Sequence, residues 1–176
     1  MTERRNILVT NALPCSKEST LATPAPVEQE LENGFPGQSD KIRWQVASTR
    51  VINRYGMLNM CKAVADHNYA VAYAYTRVHS ARERDYLLEV RHDDMIRIWL
   101  NGERVFTSTQ TTPSYISRKL VQVTLEKGTN HILVKLTQKK NYWEFWTRVL
   151  DMDGHPAPVH GLSAAQLIKD DNDDEG

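Results

Sequence analysis

Between residues 69 and 150, apolar and polar side chains alternate at period two through one short run after another, which is the pattern of half-buried strands. In YAVAYAYTRV, residues 69–78, Tyr69, Val71, Tyr73 and Tyr75 fall on one face and Ala70, Ala72, Ala74, Thr76 and Val78 on the other. Large groups opposite small ones predict a strand lying between two layers. In DYLLEVR, residues 85–91, Tyr86, Leu88 and Val90 alternate against Asp85, Leu87, Glu89 and Arg91. MIRIWL, residues 95–100, places Ile96, Ile98 and Leu100 opposite Arg97 and Trp99. It runs into Asn101-Gly102, the strongest short-range hairpin signal, with GERVF, residues 102–106, as the partner strand. Three further strands are predicted over 119–125, 130–138 and 142–151, joined by Lys127-Gly128-Thr129 and by residues 139–141. Short strands with turn chemistry between them predict an all-β fold, an antiparallel β-sandwich rather than βαβ units.

Outside this region the signals are sparser. LNMCKAVA, residues 58–65, suits one or two helical turns, and residues 163–169 suit another, capped by Ser163. Residues 6–13 and 41–46 have strand character, and between them residues 14–40, rich in Pro, Ser, Thr and Glu, form a long loop region. Gly154, Pro156 and Pro158 precede an acidic end. The expected organisation is therefore one sandwich domain over residues 1–154 and a flexible acidic tail over 155–176.

The 22 Lys plus Arg residues balance 22 Asp plus Glu residues, but five of the acids lie in the last seven positions, DDNDDEG. Residues 1–169 thus hold 22 basic against 17 acidic residues, a body charge of +5. That is too small for the dense basic surface of a dedicated nucleic-acid or acidic-membrane binder, so neither partner is expected. No run approaches the ~20 apolar residues of a membrane span. The start, MTERRNILVTNALPCS, makes a poor secretory signal, which leaves a cytoplasmic protein or a piece of a longer exported chain. Cys15 and Cys61 fit a single bridge or two thiols equally well.

HDDMIRIWLNGERVF, residues 92–106, together with LEKGTNHILVKLTQKKNYWEFWTRVLDMDG, residues 125–154, resembles the core strands of galactose-binding-like jelly-roll modules. Such carbohydrate-binding-module-like domains stand beside bacterial glycoside hydrolases. The family pattern is matched by Asp93-Asp94, by Trp99 to Gly102, by Lys127 to Asn130, by Leu133 to Leu136, by Trp143 to Phe145 and by Asp151 to Gly154. Residues 70–80 match the strand before the Asp-Asp turn, and ILVTNALP stands where the opening strand would be. A likeness of ILVTNALP to the first strand of methionyl-type aminoacyl-tRNA synthetases fails, because Cys15-Ser16-Lys17-Glu18 follows in place of a His-x-Gly-His signature. The jelly-roll resemblance implies a lectin-like accessory function. It is also similar, distantly, to anthrax protective-antigen-type lectin domains, in which an Asp-Asp pair binds calcium and sugar hydroxyls. By that likeness Asp93 and Asp94 are the candidate metal ligands, for calcium, whose hard charge suits carboxylate oxygens. Two positions depart from the family: Met95 replaces the Gly after Asp-Asp, and His92 replaces a small residue. The plain alternative is a turn in which both carboxylates accept backbone N–H groups.

The aromatic cluster at residues 142–146 is the other candidate. On a strand, Trp143, Phe145, Thr147 and Val149 share one face, which reads as core. Tyr142, Glu144, Trp146 and Arg148 share the other. Two aromatic plates beside a carboxylate and a guanidinium suit a sugar, whose C–H faces stack on rings while its hydroxyls bond charged groups. The competing reading has Trp146 covering the sheet and Glu144 and Arg148 forming a surface ion pair. Tyr115 and Arg118 flank a Thr/Ser-rich loop that makes a second candidate rim, or else a solvated turn at Pro113-Ser114. Trp99 is read as inter-sheet core or a cross-strand partner before a ligand contact. His155 and His160 flank a Pro-rich segment, and His67, His79 and His131 stand alone.

No Gly-x-Ser-x-Gly, His-Glu-x-x-His or phosphate-binding Gly-rich loop is present, and Asp93 and Asp94, adjacent on an extended segment, are expected to diverge. The expectation is a non-catalytic module that binds an oligosaccharide or polysaccharide without a resident cofactor, calcium excepted. The alternative is an accessory module that docks to a catalytic domain or a second copy of itself and binds no sugar.

Overall fold

The computed structural model of the chain describes residues 7–10, 13–14, 44–47, 57–65, 68–109, 118–158 and 160–161. The strands are β1 (Leu8–Thr10), β2 (Leu13–Pro14), β3 (Trp44–Val46), β4 (Leu58–Asn59), β5 (Ala70–Ser80), β6 (Arg84–Asp93), β7 (Ile96–Leu100), β8 (Glu103–Ser108), β9 (Lys119–Leu125), β10 (Gly128–Gln138), β11 (Glu144–Leu150) and β12 (His160–Gly161). One helical turn, α1 (Met60–Ala63), follows β4. The expected helix over 58–65 is shortened because Leu58 and Asn59 pair with Phe145 and Glu144, and Asn59 then caps the turn by accepting the N–H of Lys62. The expected turns at 163–169 and the loop expected over 14–40, apart from Pro14 in β2, lie outside the described residues.

Two antiparallel sheets form a sandwich. The larger runs β3-β1-β5-β10-β7-β8, with β2 and β12 also paired to β5, and the smaller runs β4-β11-β6-β9. Ala70, Ala72 and Ala74 of β5, Ile132, Val134 and Leu136 of β10, and Ile96, Ile98 and Leu100 of β7 share one apolar core with Tyr86, Leu88 and Val90 of β6, Val123 and Leu125 of β9, and Trp143 and Phe145. Alanines on one sheet make room for the rings carried by the other, and each large side chain taken from water contributes about 1.5–3 kcal/mol. β5 is buried on both faces, as its large-and-small alternation predicts: Tyr73, Tyr75, Leu133 and Lys135 lie buried on the side away from this core. There the Lys135 ammonium sits 5.9 Å from the Tyr73 ring centroid, and the Tyr75 hydroxyl meets Nδ1 of His131 at 2.5 Å.

Two turns are locked to each other. Leu100 pairs with Glu103 across the two-residue loop Asn101-Gly102, whose φ angles of +50° and +82° explain the Asn-Gly sequence. Asn101 Nδ2 donates to Asn130 Oδ1 at 2.9 Å, while Asn101 Oδ1 accepts the N–H of His131 at 2.8 Å. Fully buried Asn130 also accepts the N–H of Glu126 and donates to the carbonyls of Glu126 and Gly128, so its amide is completely used. The Asn-Gly and Lys-Gly-x-Asn motifs thus serve the framework. Past Leu150 the chain turns back: the N–H of Ala157 reaches the carbonyl of Val149, and His160–Gly161 pairs with His79 and Val78.

Candidate functional site

At one end of the sandwich, β6 closes on Asp93 and Asp94, joined by a cis peptide bond. Their carboxyls do not diverge. They hydrogen-bond each other and lie close to Glu144, the cross-strand partner of Asp93. Burial, the charge of Asp94 and its hydrogen bond, and the charge of Glu144 push Asp93 up to about 7. Asp94 Oδ2 accepts the N–H of Lys139 at 2.6 Å, which is the turn role expected of such a carboxylate. Beneath the pair His92 is buried, edge-on to Phe106, and its Nδ1 lies 2.6 Å from the Asp94 carbonyl. A carbonyl only accepts, so Nδ1 carries the proton. Burial lowers the His92 pKa and keeps the ring neutral. Met95 has no positive φ, so the Gly of the resembling family is not required by the backbone here.

The turn between β10 and β11 stands over this pair. Asn141 adopts φ +72°, its carbonyl accepts Nε2 of Gln138 at 3.0 Å, and the carbonyl of Lys139 accepts the N–H of Tyr69. Tyr69, Asp93, Asp94, Lys139, Lys140, Asn141 and Tyr142 line a concave site of about 450 Å³. Tyr142 is 73% exposed at its rim, and the Lys140 ammonium lies 5.9 Å from the Tyr69 ring centroid. Trp143 and Phe145 are buried, as expected of the core face.

The rest of the expected aromatic platform is divided. Tyr142 precedes β11 and lies in the turn, whereas Trp146 lies on the strand, half-buried, with the guanidiniums of Arg148 and Arg91 at 4.9 and 5.5 Å from its ring centroid. Arg148 is engaged by Glu89. It donates from Nε and Nη2 to Oε2 of Glu89, at 3.0 and 2.7 Å, and Arg118 Nε donates to Oε1 of the same carboxylate at 2.6 Å. Glu89 is 2% exposed. Burial works to raise its pKa, but the hydrogen bonds and charges of Arg118 and Arg148 outweigh it and hold the carboxyl below its usual range. Arg118, Trp146 and Arg148 are therefore brought together, around an acid that alternation alone marked only as outward-facing. Trp99 lies on the larger sheet, on the face opposite Ile98 and Leu100, with Arg97 5.9 Å from its ring centroid and Leu133 as a cross-strand partner. It is neither inter-sheet core nor near the other candidates. Tyr115 lies outside the described residues.

Asp93, Asp94 and Glu144 supply hard carboxylate oxygens, the donor type that calcium takes. Lys139 and Lys140 on the same rim would favour sugar hydroxyls or an anionic group there. Among the described residues, a tighter grouping is Asp151, Asp153 and His155, whose ligand atoms lie within 4.8 Å of one another. There Asp151 Oδ1 is already used by the N–H groups of Asp153 and His155. Among the described residues no helix is long and apolar enough to cross a membrane.

No protein-family model and no curated protein sequence matches the chain. Solved structures do share its fold. A PA14 sugar-binding domain from an RTX adhesin superposes with a TM-score of 0.55 at 13% identity, over 89% of this chain and 95% of that one. An anti-sigma factor domain-containing protein from Clostridium clariflavum gives 0.53 at 8% identity over 86% of this chain, and a beta-glucosidase from Kluyveromyces marxianus gives 0.52 at 12% over 93%. The chain spans 44% of the Clostridium chain and 18% of the beta-glucosidase. At these identities the likeness is one of fold, an antiparallel β-sandwich also found within a beta-glucosidase.

Proposed function

We propose that this chain is a non-catalytic carbohydrate-binding module whose glycan seats in the concave end of the sandwich, against Tyr142. The observation that carries the reading is the exposed Tyr142 ring standing over the buried Asp93-Asp94 pair. A ring of this kind offers a face to sugar C–H groups, while Asp93, Asp94 and Asn141 offer acceptors to hydroxyls and Lys139 and Lys140 offer donors. Asp93 and Asp94, with Glu144 beside them, are the residues that would hold calcium, and the ion would supply additional coordination of hydroxyl oxygens. The likeness to a PA14 sugar-binding domain supports this reading. Trp146 is a weaker platform than Tyr142, because two guanidiniums already engage its ring.

Affinity electrophoresis and titration calorimetry against neutral plant and algal polysaccharides test the proposal, with calcium present or chelated. Retardation by at least one neutral glycan, weakened tenfold or more in Tyr142→Ala and Asp93→Asn, is expected. Absence of binding across the panel overturns it. Binding that survives chelation unchanged removes calcium from the site while leaving the sugar.

A further inference from the structure

The outer face of the smaller sheet carries a second grouping. Glu89 and Arg91 of β6 and Trp146 and Arg148 of β11 are cross-strand partners, Arg148 with Glu89 and Trp146 with Arg91, and Arg118 enters from the start of β9. Three guanidiniums surround one carboxylate, which leaves two positive charges in excess among the described residues. Their donors also exceed their acceptors. A guanidinium has five N–H groups and a carboxylate about four lone-pair sites, so Glu89 uses only a fraction of what the three arginines offer. Arg91 is the least committed: its Nη2 is 3.9 Å from Glu89, and its buried Nε–H has no hydrogen-bond partner. All three side chains remain partly open to solvent, at 32%, 47% and 35% for Arg91, Arg118 and Arg148.

The position of this row decides what it suits. Asp93 and Glu144, at the concave end, are the next outward-facing pair along the same two strands. Two residues of strand separate the rows, roughly 7 Å. A saccharide held at the Tyr142 end therefore reaches the arginine row with its next part. The arginine row attracts an anion, and guanidinium forks match planar or tetrahedral oxyanions.

We propose that Arg91, Arg118 and Arg148 bind the oxyanion of an acidic saccharide, a uronate carboxylate or a sulfate ester, beside Trp146. The proposal rests on the saccharide reading of the concave end for the ligand's identity, while the arginine row supplies its charge selectivity. Glu89 acts here as a positioning residue, holding two forks in place and leaving their remaining donors outward.

The test compares four probes with the full chain at fixed ionic strength: polygalacturonate, a sulfated galactan, a neutral galactan, and polyglutamate as a polyanion without sugar. At least one of the two acidic polysaccharides is expected to bind tenfold or more tightly than neutral galactan and polyglutamate, and which one binds tells a uronate site from a sulfate site. Arg91→Gln should cut that binding tenfold or more. Arg148→Lys keeps the charge but loses the fork and should cut it severalfold, while Arg104→Gln, a matched charge loss on the other sheet, should leave it unchanged. Melting curves and near-UV circular dichroism certify the fold of each variant. Equal binding of polyglutamate and the acidic polysaccharides overturns the proposal, as does Arg91→Gln and Arg148→Lys binding like the parent. Neutral galactan bound with no preference for acidic forms also overturns it, yet leaves the Tyr142 site standing. Binding of acidic forms lost in Arg91→Gln but untouched in Tyr142→Ala would instead separate the arginine row from the concave end.

Discussion

The carboxylate of Asp94 accepts the backbone N–H of Lys139 at 2.6 Å, so a side chain at the end of β6 fixes the turn that carries Tyr142. Asp94→Ala removes that acceptor from a buried group and is expected to destabilise the protein by about 1–3 kcal/mol. Asp94→Asn, which keeps a carbonyl oxygen there, should lose less. Urea unfolding of both variants checks the order, and an alanine variant as stable as the parent would show that the bond has no energetic weight.

Asp93 sets a pH dependence of unusual sign. Its pKa is raised from an ordinary 3.8 to about 7, so the native state binds more protons than the unfolded chain across that interval. The stability contributed by the protonated form is full below about pH 4 and is lost as pH rises toward 7. The urea midpoint should therefore fall between about pH 4 and pH 7 more steeply in the parent than in Asp93→Asn. Equal slopes would refute the raised value.

Glu89 has the opposite sign. Its pKa is lowered, so its contribution is present above the usual carboxylate value of 4.5 and disappears as pH falls through the lower native value. Glu89→Gln is expected to cost about 1.5–3 kcal/mol at neutral pH, the range for hydrogen bonds to charged groups, and less as acid protonates the carboxylate. Chemical denaturation at pH 7 and pH 3 makes the comparison; a cost independent of pH would mean that packing, and not ionisation, gives Glu89 its role.

Asn130→Ala should be among the most damaging single changes in the framework. It strands the N–H of Glu126, the carbonyls of Glu126 and Gly128, and the amide of Asn101. A loss of about 3 kcal/mol is expected, from several hydrogen bonds worth about 0.5–1.5 kcal/mol each. Thermal melts check it, and a loss below about 1 kcal/mol would show that water replaces the amide at little cost.

The strands of the sandwich were readable because a half-buried strand imposes period two on its own sequence, as β7 shows most plainly, while β5, buried on both faces, alternates large with small. Parity failed where the backbone left the strand. Tyr142 and Trp146 share a parity, but Tyr142 lies in the turn before β11 begins, where a strand count no longer fixes a side chain's direction. Extended-chain reasoning likewise sent Asp93 and Asp94 apart, whereas their carboxyls meet. Glu89 was legible only as an outward-facing acid, since the arginines that bury it come from β11 and from the start of β9. Strand alternation tells which face a residue takes, not which neighbour lies across the sheet.

β5 is paired along one edge by β10 over its whole length and along the other by three short pieces: β1, β2 and β12. The pieces come from distant parts of the chain, joining Leu8 to Tyr75 and His160 to His79. Closing such separations carries a larger loop entropy than closing the Asn101-Gly102 hairpin, so assembly order follows contact order. By that order the β7–β8 hairpin forms early and the far edge of β5 is completed late. Until then the nascent protein presents an open strand bearing Tyr73 and Tyr75, and that interval is when a second nascent chain competes with the protein's own ends for the same backbone.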